Sequence, residues 1–314
     1  MDADLARAQP GVATKRQSKM ERREALWGWF FIAPWLIGFV VFTLWPVLAS
    51  LALSFTDYEL ITAPKWIGPK NFVDLFTRDR RFLLSLYNTV YYVAFSVPLS
   101  ILTAFILSLL LNVRLRGMNV YRTVFYLPAI TSGVAVSLLW IWLFNPQFGL
   151  INYLLRSVGL PAPGWLNDAA WAKPAFILMS LWSVGGTTVI FLAGLQGVPR
   201  SLYEACEIDG ANTWQRFWNI TVPMLTPVIF FNLILGIIAS FQVFTQAYVM
   251  TQGGPQDATL FYVLYLFRQG FAQLRMGYAA AMAWILFIII LVLTLIQFRL
   301  ANRWVYYEGD LLKR

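Results

Sequence analysis

Apolar and polar positions alternate along the chain in long blocks. Six apolar runs, over residues 27–49, 86–112, 123–144, 174–196, 219–245 and 277–298, contain no Asp, Glu, Lys or Arg. About 20 apolar residues cross a bilayer core as a helix, so each run predicts one membrane span. Ahead of them lies a basic polar segment with Arg7, Lys15, Arg16, Lys19, Arg22 and Arg23. The first run is longer than the roughly 7–15-residue apolar stretch of a cleaved signal peptide, which makes it a retained helix. The expected organisation is an N-terminal tail over 1–26, a first transmembrane helix over 27–49, a five-helix core over 86–298 with a cytoplasmic loop at 197–218, and a C-terminal tail over 299–314. Six spans place both termini on one side. Basic residues gather in the N-terminal tail, around Arg114, Arg116 and Arg122, at Arg200 and Arg216, and at Arg299, Arg303, Lys313 and Arg314. The positive-inside rule therefore puts both termini in the cytoplasm, although Arg78, Arg80 and Arg81 on the opposite side weaken the bias.

Composition agrees with lipid as the solvent. Of 314 residues 59% are hydrophobic and 12% charged, against roughly 45–50% and about 25% in soluble domains. The net charge of +9 sits in short loops, where it orients spans rather than binding nucleic acid. Histidine is absent and Cys206 is the single cysteine, which removes imidazole catalysis, His-ligated metals and intrachain disulfides. Spans without ionisable groups speak against ion coupling and intramembrane proteolysis, because coupling ions and relayed protons need such groups. No G-x-x-x-x-G-K-[ST] nucleotide loop occurs, so this chain binds no ATP by that motif. A channel, a membrane scaffold, or a transporter driven from another subunit remains.

The polarity inside the runs is neutral. Asn232, Ser240, Gln242, Thr245 and Gln246 lie in or beside the fifth run; Trp182, Ser183, Thr187 and Thr188 flank Gly185 and Gly186 in the fourth. Neutral donors, acceptors and aromatic faces suit an uncharged polyhydroxyl ligand. They equally suit close helix packing. Trp182 and Gln242 are the preferred lining candidates. In the outer loops, Pro64–Phe72 and Gly159–Trp165 mix turn formers with aromatics, and most of the latter are expected in an interfacial belt.

The loop after the fourth run carries the most information. Ser201 followed by Glu204 predicts a capping box at a helix start. Gly210 predicts its end, and Asn212 or Thr213 a second helix. Leu202 and Cys206, one turn apart, predict one face for a partner's groove. Glu204-Ala205-Cys206, then Gly210, then Ile220-Thr221-Val222-Pro223 resembles the EAA motif of ABC-importer permeases: E-A-A, three residues, G, nine residues, I-x-L-P. Cys206 stands for the second Ala and Val222 for Leu; Asp209 and Ala211 also fit. Further similarity runs through Trp142–Asn152, Phe191–Gln196, Thr251–Pro255 and Met276–Ala281, and points to the carbohydrate-type, MalF-like permeases.

This resemblance implies an all-α membrane protein of the type I ABC importer permease fold, with the last five helices as core. It implies a second related permease, two ABC ATPase subunits that bind the ATP and Mg, and an extracytoplasmic solute-binding protein, in a bacterial or archaeal cytoplasmic membrane. Glu204, Ala205, Cys206, Asp209, Gly210, Ala211 and Pro223 would couple to the ATPase. The cargo implied is a sugar, with glycerol-3-phosphate as the alternative.

Overall fold

The computed structural model describes residues 19–113 and 115–306; the expected tails before Lys19 and after Tyr306, and Arg114, lie outside them. The chain divides into two compact units, residues 1–52 and 53–314. Among the described residues the protein is almost entirely helical, with one two-stranded ribbon. Four helices are long and apolar enough to cross a membrane, and two sharply bent pairs raise the number to six if each pair is one span.

In the first unit, α1 (Lys19–Phe39) passes through a π-helical turn (Val40–Leu44) into α2 (Trp45–Ser54). Trp45 N–H bonds to Val40 O, one residue further back than in an α-helix. The widened turn lies just ahead of Pro46, whose ring would otherwise strike the carbonyl four residues earlier. The most apolar window of the Leu26–Ser54 helix has none of its residues buried; such a surface is stable against lipid or a partner, not water.

The second unit begins with β1 (Thr56–Asp57) paired antiparallel to β2 (Lys65–Trp66), followed by α3 (Lys70–Thr77). Asn71 Nδ2 closes this cap by donating to Ser54 O and Thr56 O, both at 2.9 Å. Asp79 then caps α4 (Arg80–Leu111) through Phe82 N–H at 3.0 Å. The helix thus starts earlier than the apolar run at residue 86, because its first turn is held by capping rather than by hydrophobicity.

The run over 123–144, expected as one span, forms α5 (Met118–Ile130) and α6 (Gly133–Leu143), bent by 99°. Pro128 removes a ladder N–H, and Thr131 is extended, its Oγ1 turning back onto Leu127 O at 3.0 Å; hydropathy averages over such a break. A short α7 (Leu150–Ser157) follows. Trp165 is buried with Trp140 and Phe144, its Nε1 donating to Asn152 Oδ1 at 2.8 Å. The fourth run forms α8 (Ala169–Ser180), a short 3-10 turn, and α9 (Gly185–Gly197), with a 48° bend. A Cβ on Gly185 would lie 2.5 Å from Phe125 O, so only glycine lets α9 start against the α5 backbone.

Next come α10 (Arg200–Ile208) and α11 (Thr213–Arg216), a second π-helical turn (Phe217–Thr221), and α12 (Val222–Phe241). Val222 N–H bonds to Phe217 O just before Pro223, the same device as at Pro46. The segment α13 (Thr245–Met250) and α14 (Tyr262–Phe267) leads to α15 (Met276–Trp304). This last helix outruns the apolar stretch that ends at 298: Ala301 and Val305 are buried with Phe230, and Tyr306 N–H donates to Thr226 Oγ1 at 2.9 Å. The main core joins α3, α4, α12, α14 and α15 around Phe82, Tyr262, Leu264 and Met282.

Candidate functional site

Two places assemble the residues singled out by sequence. The first is the α10–α11 loop. Gly210 has φ +78° and ends α10. Ala211 N–H bonds to Cys206 O at 2.9 Å and Gly210 N–H to Glu207 O at 3.1 Å, the paired bonds of a Schellman motif, in which a left-handed residue favours glycine. The expected Ser201–Glu204 capping box is not formed. The helix starts two residues earlier, at Arg200, with Pro199 at the cap and no side-chain cap bond. Proline presets the backbone angle of the helix entry, so Ser201 falls inside the first turn. The box sits instead on the next helix, where Asn212 Oδ1 accepts Gln215 N–H and Gln215 Oε1 accepts Asn212 N–H.

The back of α10 is pinned. Tyr203 Oη lies 3.0 Å from Thr221 Oγ1, and Arg216 pairs with Glu207 across the turn. Leu202 is exposed and Cys206 half-buried, one turn apart on α10. The open side carries Ser201, Glu204, Ala205, Asp209 and Ile208, the last 87% exposed. Gly210 lies at the exposed tip, with Ala211 half-buried beside it. Pro223, half-buried, follows the π-helical turn that joins α11 to α12.

The second place is a cavity of about 250 Å³ where α4, α8, α9 and α12 meet. Thr187, Asn232 and Ser240 line it, together with Ser96, Ser100 and Ser180, which the sequence reading passed over. Ser100 Oγ and Ser180 Oγ are 3.4 Å apart, and Asn232 Nδ2 donates to Val228 O at 2.8 Å, leaving its oxygen for another donor. No charged side chain lines this cavity. Trp182, Ser183, Gln242, Thr245 and Gln246 are not brought into it. Trp182 packs edge-on against Trp140, with ring centroids 6.2 Å apart, and is half exposed. Ser183 and Gln242 are exposed at helix ends; Thr245 starts α13 with its methyl facing Gly133 of α6. The missed signal was Ser96 and Ser100, one turn apart in the middle of a span.

Above the cavity, the loop between α13 and α14 is bound to α4. Arg81 pairs with Asp257 at 3.1 Å, Asn88 Nδ2 donates to Asp257 O and Leu260 O, and Thr89 Oγ1 accepts Tyr262 N–H at 2.8 Å. Lys173, which the sequence places in a loop, lies within α8, donates to Asn88 Oδ1 at 3.0 Å and sits over the rings of Tyr87 and Tyr91. Asp79 accepts hydrogen bonds from Tyr265 and Tyr278, both at 2.7 Å. Burial first, and then the Asp79 carboxylate, push the Tyr265 hydroxyl above its ordinary value, so it stays a neutral donor.

Residues 80–306 match the family described as binding-protein-dependent transport system inner membrane component. The chain is 46% identical to the probable ABC transporter permease protein YesP of Bacillus subtilis, over 95% of this chain and 98% of that one. It is 37% identical to the lactose transport system permease protein LacF of Rhizobium radiobacter, over 93% and 99%. Its fold is similar to that in the crystal structure of a bacterial alginate ABC transporter in complex with an alginate pentasaccharide-bound periplasmic protein, with a TM-score of 0.78 and 24% identity over 90% of this chain and 96% of that one.

Proposed function

Because the chain belongs to the family of binding-protein-dependent transport system inner membrane components, we propose that it is one of two related permease subunits of an ATP-driven sugar importer. It spans the membrane six times, each bent pair counting as one span, with both termini in the cytoplasm. Two ATPase subunits bind the ATP and Mg, and an extracytoplasmic binding protein delivers the sugar. This chain itself catalyses nothing.

The observation that carries this reading is the α10–Gly210–α11 loop. Its inner side is tied down by Tyr203 and Glu207, while Glu204, Ala205, Ile208 and Asp209 are left open. A helix fixed at the back and bare at the front suits insertion into a partner's groove. ATP-driven closure of the ATPase pair would push α10, and Pro223 at the foot of α12 would carry that push into the span lining the cavity.

The cavity supports an uncharged sugar. Its wall offers hydroxyls and an amide, which hydrogen-bond a polyol without the desolvation cost of a buried charge. A phosphorylated cargo such as glycerol-3-phosphate would call for cations in that wall. At about 250 Å³ the cavity is below the roughly 300–1,000 Å³ of sites for drug-sized ligands. It takes a single sugar ring, and the second permease completes it for anything longer.

The test is purification of the full chain from its native membrane in mild detergent, with mass spectrometry of what accompanies it, beside a Gly210→Pro variant. An ATPase and a second permease should accompany the wild type, and the variant should lose the ATPase. A chain that purifies alone, or an ATPase retained by the variant, overturns the coupling role and moves a channel or scaffold to the front.

A further inference from the structure

A second cavity lies away from the one in the spans. It has a volume of about 530 Å³ and lies against the first turn of α10, with Asn112, Arg122, Gln196, Arg200 and Tyr203 in its wall. No carboxylate lines it. Arg122 donates through Nε and Nη2 to Leu111 O, at 3.3 and 2.9 Å, which holds its guanidinium at the end of α4. A guanidinium has five N–H groups, so several stay available. Arg200 has no ion pair among the described residues: Glu204, one turn on, is not within pairing distance, and Glu207 is taken by Arg216. The start of α10 adds to this field. Pro199 gives no side-chain cap, and of the first-turn N–H groups Leu202 bonds back to Pro199 O at 3.3 Å while those of Arg200 and Ser201 point out of the helix end, where the positive end of the helix dipole favours an anion.

We propose that this cavity binds a phosphate group, held by Arg122 and Arg200 with the amides of Asn112 and Gln196. The ends of apolar α4 and α9 and the first turns of α5 meet here, level with the edge of the membrane. The phosphate is therefore that of an anionic phospholipid headgroup or free phosphate from solution; arginine-lined pockets between helices on the cytoplasmic side suit such headgroups. A bound phosphate would bridge α4, α5 and α10 and so make the position of α10 sensitive to its presence. The membrane-edge, cytoplasmic position rests on the proposed orientation, whereas binding itself needs only this chain.

Native mass spectrometry of the full chain, with phosphatidylglycerol set against phosphatidylcholine, tests the site. Wild type should retain phosphatidylglycerol selectively, and Arg200→Gln should lower that retention about tenfold, the size of one charge-assisted hydrogen bond. Arg122→Gln should do the same, but it also uncaps α4; Arg200 is exposed and unpaired, so its variant is free of that complication. Isothermal titration of inorganic phosphate into the delipidated chain separates the sources. Heat in wild type that is lost in Arg200→Gln means free phosphate suffices, whereas lipid selectivity without phosphate heat means the headgroup is required. Equal retention of both lipids together with no phosphate heat, or selectivity unchanged in both variants, overturns the proposal.

Discussion

Asn88 is wholly buried, and its one amide meets three partners: the carbonyls of Asp257 and Leu260 and the ammonium of Lys173. Replacing it by Ala leaves all three without that partner at once. A buried group stripped of its partner costs roughly 1–3 kcal/mol, so Asn88→Ala is expected to lower stability by about 3 kcal/mol, read as a drop in the thermal midpoint in detergent. A change within error means water replaces the amide. The cavity makes a different residue-scale prediction. Asn232→Leu should keep the chain in the membrane at wild-type level while sugar uptake falls at least tenfold, in a transport assay alongside a blot. Loss of the protein itself would assign Asn232 to packing. Thr187, Asn232 and Ser240 could be nominated from sequence because polar residues in apolar runs stand out. Ser96, Ser100 and Ser180 do the same job but resemble ordinary packing residues, and only contact between α4 and α8 distinguishes them. Trp182 and Gln242, with chemistry suited to a sugar, lie exposed outside that cavity.

At the scale of elements, the boundaries were governed by local chemistry that hydropathy does not register. Gly210 at φ +78° costs an L-residue roughly 1–2 kcal/mol, with Asn tolerated better. Gly210→Ala should therefore speed hydrogen exchange of the Ala211 amide, which bonds to Cys206 O, and Gly210→Asn should fall between Ala and wild type. Identical exchange in all three would show that the turn is not held by this residue. Gly185→Val should force α9 off the α5 backbone, where a Cβ would sit 2.5 Å from Phe125 O, and widen the 48° bend beside the cavity; distances between probes on α5 and α9 would report it. Gly210 was legible because a helix stop needs little more than sequence. Gly185 was visible only as a small residue, since the backbone it touches lies about 60 positions earlier. The misplaced capping box has the same origin: Ser201 and Glu204 had the right spacing, but Pro199 started the helix first.

For the whole molecule, the single cysteine provides a topological marker. Cys206 is half-buried on α10, and a membrane-impermeant maleimide should label it in inside-out vesicles and leave right-side-out cells unlabelled. The reverse pattern would invert the orientation assigned from the basic loops. The sequence by itself determined that the chain lives in lipid, roughly where its apolar helices run, and that a helix–glycine–helix unit follows the fourth run. Those properties rest on local quantities: apolar length set against bilayer thickness, and residues whose backbone preferences act at short range. The tertiary structure alone decided that one run is bent by 99°, that α15 continues to Trp304 because Ala301 and Val305 pack on Phe230, and which neutral residues share a cavity. It also decided that Arg122 and Arg200, nearly 80 positions apart, face the same space. Convergence of that kind depends on how helices pack against one another, which no single stretch of sequence encodes.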